Sequence, residues 1–79
     1  MAKNPYSHQR TVLQELLREI RKEAGLTQAE LAKRVAQPQS FVSKYESGER
    51  RLDITELWEV CQAAGLSLEE FVRRWEEAL

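Results

Sequence analysis

An all-α fold, a compact bundle of five short helices, is what this 79-residue chain predicts. Apolar residues recur at helical spacing in each periodic segment. No segment alternates with period two over a useful length, so no strand is assigned. Breaks at Gly25, Ala36-Gln37, Gly48 and Gly65 cut the chain into helix-sized pieces.

In the first piece Val12, Leu13, Leu16, Leu17, Ile20 and Ala24 share a helical stripe, with Ser7 as the expected cap and Gly25 as the stop. "TQAELAKRV" follows, where Thr27 and Glu30 form an S/T-x-x-E capping box, so a second helix starts after Leu26 and buries Leu31 and Val35. Ala29 and Ala32 are small enough for another helix to approach closely. The third helix opens at "QPQS", with Pro38 expected at its first helical position, and ends at Gly48. With only Ala36 and Gln37 left between them, the second and third helices must turn sharply. The fourth begins at "DITE", capped by Asp53 with Glu56 three residues on, and runs through Leu57, Trp58 and Cys61 to Gly65. The fifth starts at "SLEE" and carries Leu68, Phe71, Val72 and Trp75 as its stripe.

The length suits one domain, because a second hydrophobic core needs roughly twice as many residues. Residues 7–79 are expected to form it, with 1–6 a flexible N-terminus. A lone cysteine, Cys61, excludes an internal disulfide framework and a thiolate-rich metal site, and fits a reducing cytoplasm. No apolar run approaches the roughly 20 residues of a membrane span, and "MAKNPYSHQR" lacks the apolar stretch of a secretory signal. His8 is the one histidine and pairs by spacing with no nucleophile, so neither catalysis nor a metal or cofactor site is expected.

The net charge of −1 hides an asymmetry. Residues 10–51 carry nine Lys/Arg against six Glu, whereas residues 52–79 carry two Arg against seven acids. A basic front with an acidic back steers a polyanion toward one side, although solvated helix faces produce similar counts.

On a helix that advances about 100° per residue, setting Gln39 at zero places Ser43 near 40°, Ser47 near 80°, Ser40 near 100° and Lys44 near 140°. Val42 and Tyr45 fall opposite, near 300° and 240°, and Phe41 lies on the boundary near 200°. A polar arc backed by core residues also describes any solvated helix face. Here, however, a short capped helix precedes it and "ERR" follows. Gln pairs with adenine N6 and N7, Lys reaches guanine O6 and N7, and Ser serves either, all in the major groove. Gln39, Ser40 and Lys44 are therefore expected to read bases, with Ser43 a weaker candidate. Phe41 either touches a thymine methyl or packs against the second helix.

"RKEAGLTQAELAKRV", "VSKYESGERR" and "ITELWEVCQAAGLSLEEF" occur in an order and spacing that resembles the Cro/repressor-like helix-turn-helix family, the xenobiotic-response-element type of transcription regulator, over about 55 of the 79 residues. The resemblance implies a lambda-repressor-like five-helix DNA-binding domain without catalytic activity. It implies sequence-specific binding of a double-stranded, palindromic operator as a homodimer, in the cytoplasm at the nucleoid, with no small-molecule substrate and no membrane. It agrees with the base readers above and places Thr27 and Gln28, at the start of the second helix, and Arg50 and Arg51, beyond the third, on the phosphate backbone. Either arginine has Glu49 or Asp53 as an alternative partner. Arg21 and Glu46 match positions that form a buried ion pair in some family members. Trp75 and Leu79 are candidates for the dimer interface, with closure of the core the other role for Trp75. Two departures stand out: Ala36 occupies a frequent Gly position, and Gln37-Pro38 replaces an aliphatic residue followed by a Ser/Thr cap. The competing function is a protein-interaction module, such as an antitoxin or adaptor, that binds DNA only secondarily.

Overall fold

The computed structural model describes residues 7–79, so the expected loose segment 1–6 lies outside the described residues. In chain order the helices are α1 (Ser7–Glu23), α2 (Gln28–Arg34), α3 (Gln39–Ser47), α4 (Ile54–Ala64) and α5 (Leu68–Ala78), with no strand among the described residues. Helix α3 packs on α2 and α1, while α4 and α5 pack on each other and on α1.

Local chemistry sets most helix ends. Both capping boxes form: the Thr27 hydroxyl accepts from the Glu30 N–H and the Glu30 carboxylate accepts from the Thr27 N–H, and Asp53 and Glu56 repeat the exchange. Each satisfies two N–H groups that the first helical turn leaves unbonded. Ser67 caps α5 through the Glu70 N–H.

Three helices end in the same left-handed turn. After α1, Leu26 N–H donates to Arg21 O and Gly25 N–H to Lys22 O; after α4, Leu66 and Gly65 donate in the same way to Cys61 and Gln62. After α2 the motif recurs with Gln37 donating to Ala32 O and Ala36 to Lys33 O. Gly25 and Gly65 sit at φ 73° and 85°, and Ala36 holds the equivalent position at φ 56°. The chain therefore retains the left-handed turn at Ala36 and accepts the strain that a Cβ brings there.

Three expected boundaries shift. Ser7 is the first residue of α1 and not its cap; its carbonyl accepts from the Thr11 hydroxyl. Pro38 has extended backbone, φ −68° and ψ 157°, and is the N-cap of α3 instead of its first helical residue. Val35 closes α2, so Val35 through Pro38 form the turn, two residues more than the spacing predicted.

The core draws Leu16, Leu17 and Ile20 from α1, Leu31 and Ala32 from α2, Phe41, Val42 and Tyr45 from α3, Val60 and Cys61 from α4 and Phe71 from α5, together with Leu26. Val35 is half-buried against it, and Ala29 is exposed. Trp75 is also half-buried, and its indole N–H donates to Gln9 O at 3.0 Å, which closes α5 onto α1. No helix among the described residues is long and apolar enough to cross a membrane.

Candidate nucleic-acid interface

Helix α3 divides as its sequence geometry requires. Val42 and Tyr45 are sealed in the core, whereas Gln39, Ser40, Lys44 and Ser47 are exposed and Ser43 is half-buried. The Ser43 hydroxyl donates back to Ser40 O, and the single Ser47 hydroxyl hydrogen is shared between Lys44 O and the Glu49 carboxylate. Gln39, Ser40 and Lys44 form no side-chain hydrogen bond or ion pair among the described residues, and so present their full donor and acceptor sets outward. Phe41 belongs to the core: it is 7 % exposed and meets the Tyr45 ring edge-on at 5.4 Å. Pro38 has no side-chain cap to offer, so among the first N–H groups of α3 the Phe41 N–H donates to Pro38 O, while those of Gln39 and Ser40 have no side-chain cap.

Arg50 lies at the edge of the row. Gly48 breaks α3 at φ 89°, and the N–H groups of Glu49 and Arg50 both return to Lys44 O. That turn carries the Arg50 guanidinium over the Phe41 ring, 4.9 Å from its centroid, where it pairs with Glu56 rather than with Glu49 or Asp53. Gln37, Pro38, Ser40, Phe41, Lys44 and Arg50 together line a shallow open depression. Arg51 is exposed and forms no ion pair among the described residues.

Arg21 and Glu46 are brought together beneath this surface. Arg21 Nε donates to Glu46 Oε2 at 2.7 Å and Nη2 to Oε1 at 3.1 Å, while Nη1 donates to Leu26 O at 2.9 Å. Both side chains are nearly enclosed, and Arg18 adds its charge at 3.7 Å. Burial pushes the Glu46 carboxyl up, but the Arg21 and Gln28 hydrogen bonds and the charges of Arg21 and Arg18 outweigh it, leaving the group below its ordinary value. The bond to Glu46 in turn raises Arg21. This bidentate pair joins α1 to α3 beneath the outward row.

Gln28 is part of the same network, which its sequence position does not reveal: its Nε2 donates to Glu46 Oε1 at 3.0 Å. A carboxamide nitrogen carries two hydrogens, so one remains for a second acceptor. Thr27 is exposed, with its hydroxyl oxygen engaged by Glu30 N–H and its own hydrogen without an acceptor among the described residues. Two further ties were not legible in spacing: Arg34 donates to Ala63 O, and Arg74 makes a two-pronged bridge to Glu23.

Five helices with a capped α2, a left-handed turn and a third helix whose outer side is polar and inner side is core define a helix-turn-helix protein. The Helix-turn-helix family model matches residues 17–71, and the chain belongs to this family of DNA-binding transcription regulators. It is 38 % identical over 58 residues, 73 % of this chain and 75 % of its relative, to the HTH-type transcriptional regulator y4dJ of Sinorhizobium fredii (strain NBRC 101917 / NGR234). Among solved structures it is similar to an XRE-family like protein from Pseudomonas syringae pv. tomato str. DC3000, with 41 % identity, TM-score 0.86, and 92 % and 89 % of the two chains covered. It is also similar to the clp gene regulator ClgR of Corynebacterium glutamicum, with 27 % identity, TM-score 0.81, and 94 % and 79 % covered.

Proposed function

We propose that residues 7–79 act as one domain that binds a double-stranded operator as a homodimer, with α3 in the major groove, and that the site is palindromic. Gln39, Ser40 and Lys44 read base edges, Ser43 assists, and Thr27, Gln28, Arg50 and Arg51 hold phosphates on either side. The observation that carries this reading is the exposed Gln39-Ser40-Lys44 row on a helix whose opposite side is wholly buried. The dimer forms through exposed Leu79 and the half-buried Trp75 on α5. The reading assigns the chain no catalysis, cofactor or metal, and places it at the nucleoid in the cytoplasm. A second reading, a protein-interaction module of antitoxin or adaptor type, draws on Ile54 and Trp58, which are 61 % and 51 % exposed one turn apart on α4.

Selection from a randomised duplex pool separates the two. The regulator enriches a motif with half-sites about one helical turn apart, two chains per duplex by mass, and affinity that falls steeply with salt. Lys44→Ala or Gln39→Ala then costs about 1–3 kcal/mol at one base pair, while Arg51→Ala weakens all sequences alike and shallows the salt slope by about one. A pool without enrichment, or identical behaviour of the two kinds of variant, overturns the assignment.

A further inference from the structure

Beside the reading row, where α1, the end of α3 and the start of α4 meet, lies a partly enclosed cavity of about 250 Å³. Its interior is mostly apolar, formed by Leu13, Leu17, Leu52 and Leu57 with Tyr45 as one wall. Arg10, Arg50 and Arg51 also line it, and among the described residues no acidic one does. Arg50 is engaged by Glu56, but Arg10 and Arg51 form no ion pair among the described residues. Gly48 contributes to the shape: its φ of 89° favours glycine, and a Cβ there, 2.7 Å from Gln14 Nε2, would push the flexible Gln14 amide aside. Tyr45 also carries a hydroxyl that is buried without a hydrogen-bond partner among the described residues, so the wall it supplies belongs to a side chain with an unfilled polar group there.

We infer that this cavity binds a small organic monocarboxylate, with its aromatic or short aliphatic body among the leucines and its carboxylate on Arg10 and Arg51. The volume is below the usual range for drug-sized ligands, which favours a molecule smaller than a nucleotide, and the leucine lining disfavours an ion without an apolar part. Two unengaged guanidinium groups at an apolar cavity favour a carboxylate over a neutral molecule of the same shape, because bidentate charge-assisted bonds exceed neutral ones. Arg51 also follows the reading helix, so an occupied cavity competes with DNA phosphate for the same cation. That coupling rests on the proposed DNA reading; ligand binding itself does not.

The test titrates the whole chain with hexanoate and phenylacetate, and with 1-hexanol and 2-phenylethanol as uncharged counterparts, following leucine methyl and Gly48 amide resonances. The carboxylates should give saturable shifts confined to the cavity residues, with the alcohols binding about tenfold more weakly or worse. An Arg10→Gln/Arg51→Gln variant, altered only outside the core and checked for fold by circular dichroism, should bind both kinds of probe equally weakly. Absence of saturation by ~10 mM overturns the site, and alcohols that bind as tightly as acids overturn the ligand class. If the acids bind but leave affinity for the selected operator unchanged, the cavity assignment stands and the phosphate role of Arg51 fails.

Discussion

Glu46 joins stability to recognition through one carboxylate. Its two oxygens take three hydrogen bonds, two from Arg21 and one from Gln28, on a residue that is 3 % exposed. Burying such a pair brings little net stability, because desolvation offsets most of the attraction, but removing one partner leaves the other charge stranded. Glu46→Ala should therefore cost about 3–5 kcal/mol, a fall in melting temperature of roughly 12 °C or more for a domain of this size. Base preference should survive in the fraction that remains folded, since Glu46 faces inward while Gln39 and Lys44 face outward. Thermal unfolding followed by selection on the variant checks both halves, and an unchanged melting temperature would count against the pair.

At the level of elements, the turn between α2 and α3 is the strained joint. Its hydrogen bonds match those after α1 and α4, yet it holds alanine where they hold glycine. A left-handed residue with a Cβ costs roughly 1–2 kcal/mol; glycine removes that cost but forfeits part of the gain, because its freer unfolded chain loses more entropy on folding. Ala36→Gly should thus stabilise the protein by about 0.5–1 kcal/mol, whereas Ala36→Val should destabilise it, both measurable by chemical denaturation. The same turn marks the limit of what could be read in advance. Thr27-Glu30, Asp53-Glu56, the glycine stops and the polar arc of α3 are written at spacings of one to four residues, which the helix itself converts into geometry. Whether Pro38 caps α3 or begins it depends on a single backbone angle that the residue type leaves open. Gln28 on Glu46, Arg50 on Glu56 and Trp75 on Gln9 unite different elements, and pairings of that kind leave no periodic trace. The exposed row was legible as a face; which of its neighbours were already engaged by carboxylates was not.

Across the whole molecule the titrating groups define a plateau of stability against pH. Among the described residues four carboxyls lie below their ordinary values. Glu46 does so because Arg21 and Gln28 overcome its burial, Glu23 through the Arg74 hydrogen bond, Glu30 through the Thr27 N–H and Asp53 through the Glu56 N–H. A carboxyl with a depressed folded value contributes fully above its unfolded value, here 4.5 for glutamate and 3.8 for aspartate, and loses that contribution as pH falls through the lower folded value. Cys61 behaves in the opposite sense. Burial pushes its thiol from 9.0 up to about 11, so the neutral form is favoured on folding and its contribution fades as pH rises from 9.0 toward that value. Burial also raises Tyr45, which extends the alkaline loss. The melting temperature should accordingly be nearly level between the unfolded glutamate value of 4.5 and the thiol value of 9.0, and fall on both sides. Salt distinguishes the contributors on the acid side: it screens exposed Glu23, Glu30 and Asp53 far more than enclosed Glu46. High salt should therefore shrink the acid transition without abolishing it, and Glu46→Gln in high salt should remove most of what is left. A melting temperature that climbs as pH drops below 4.5 would mean that the carboxylates are destabilised in the fold, and the Arg21–Glu46 network could not then be what fastens α3 to α1.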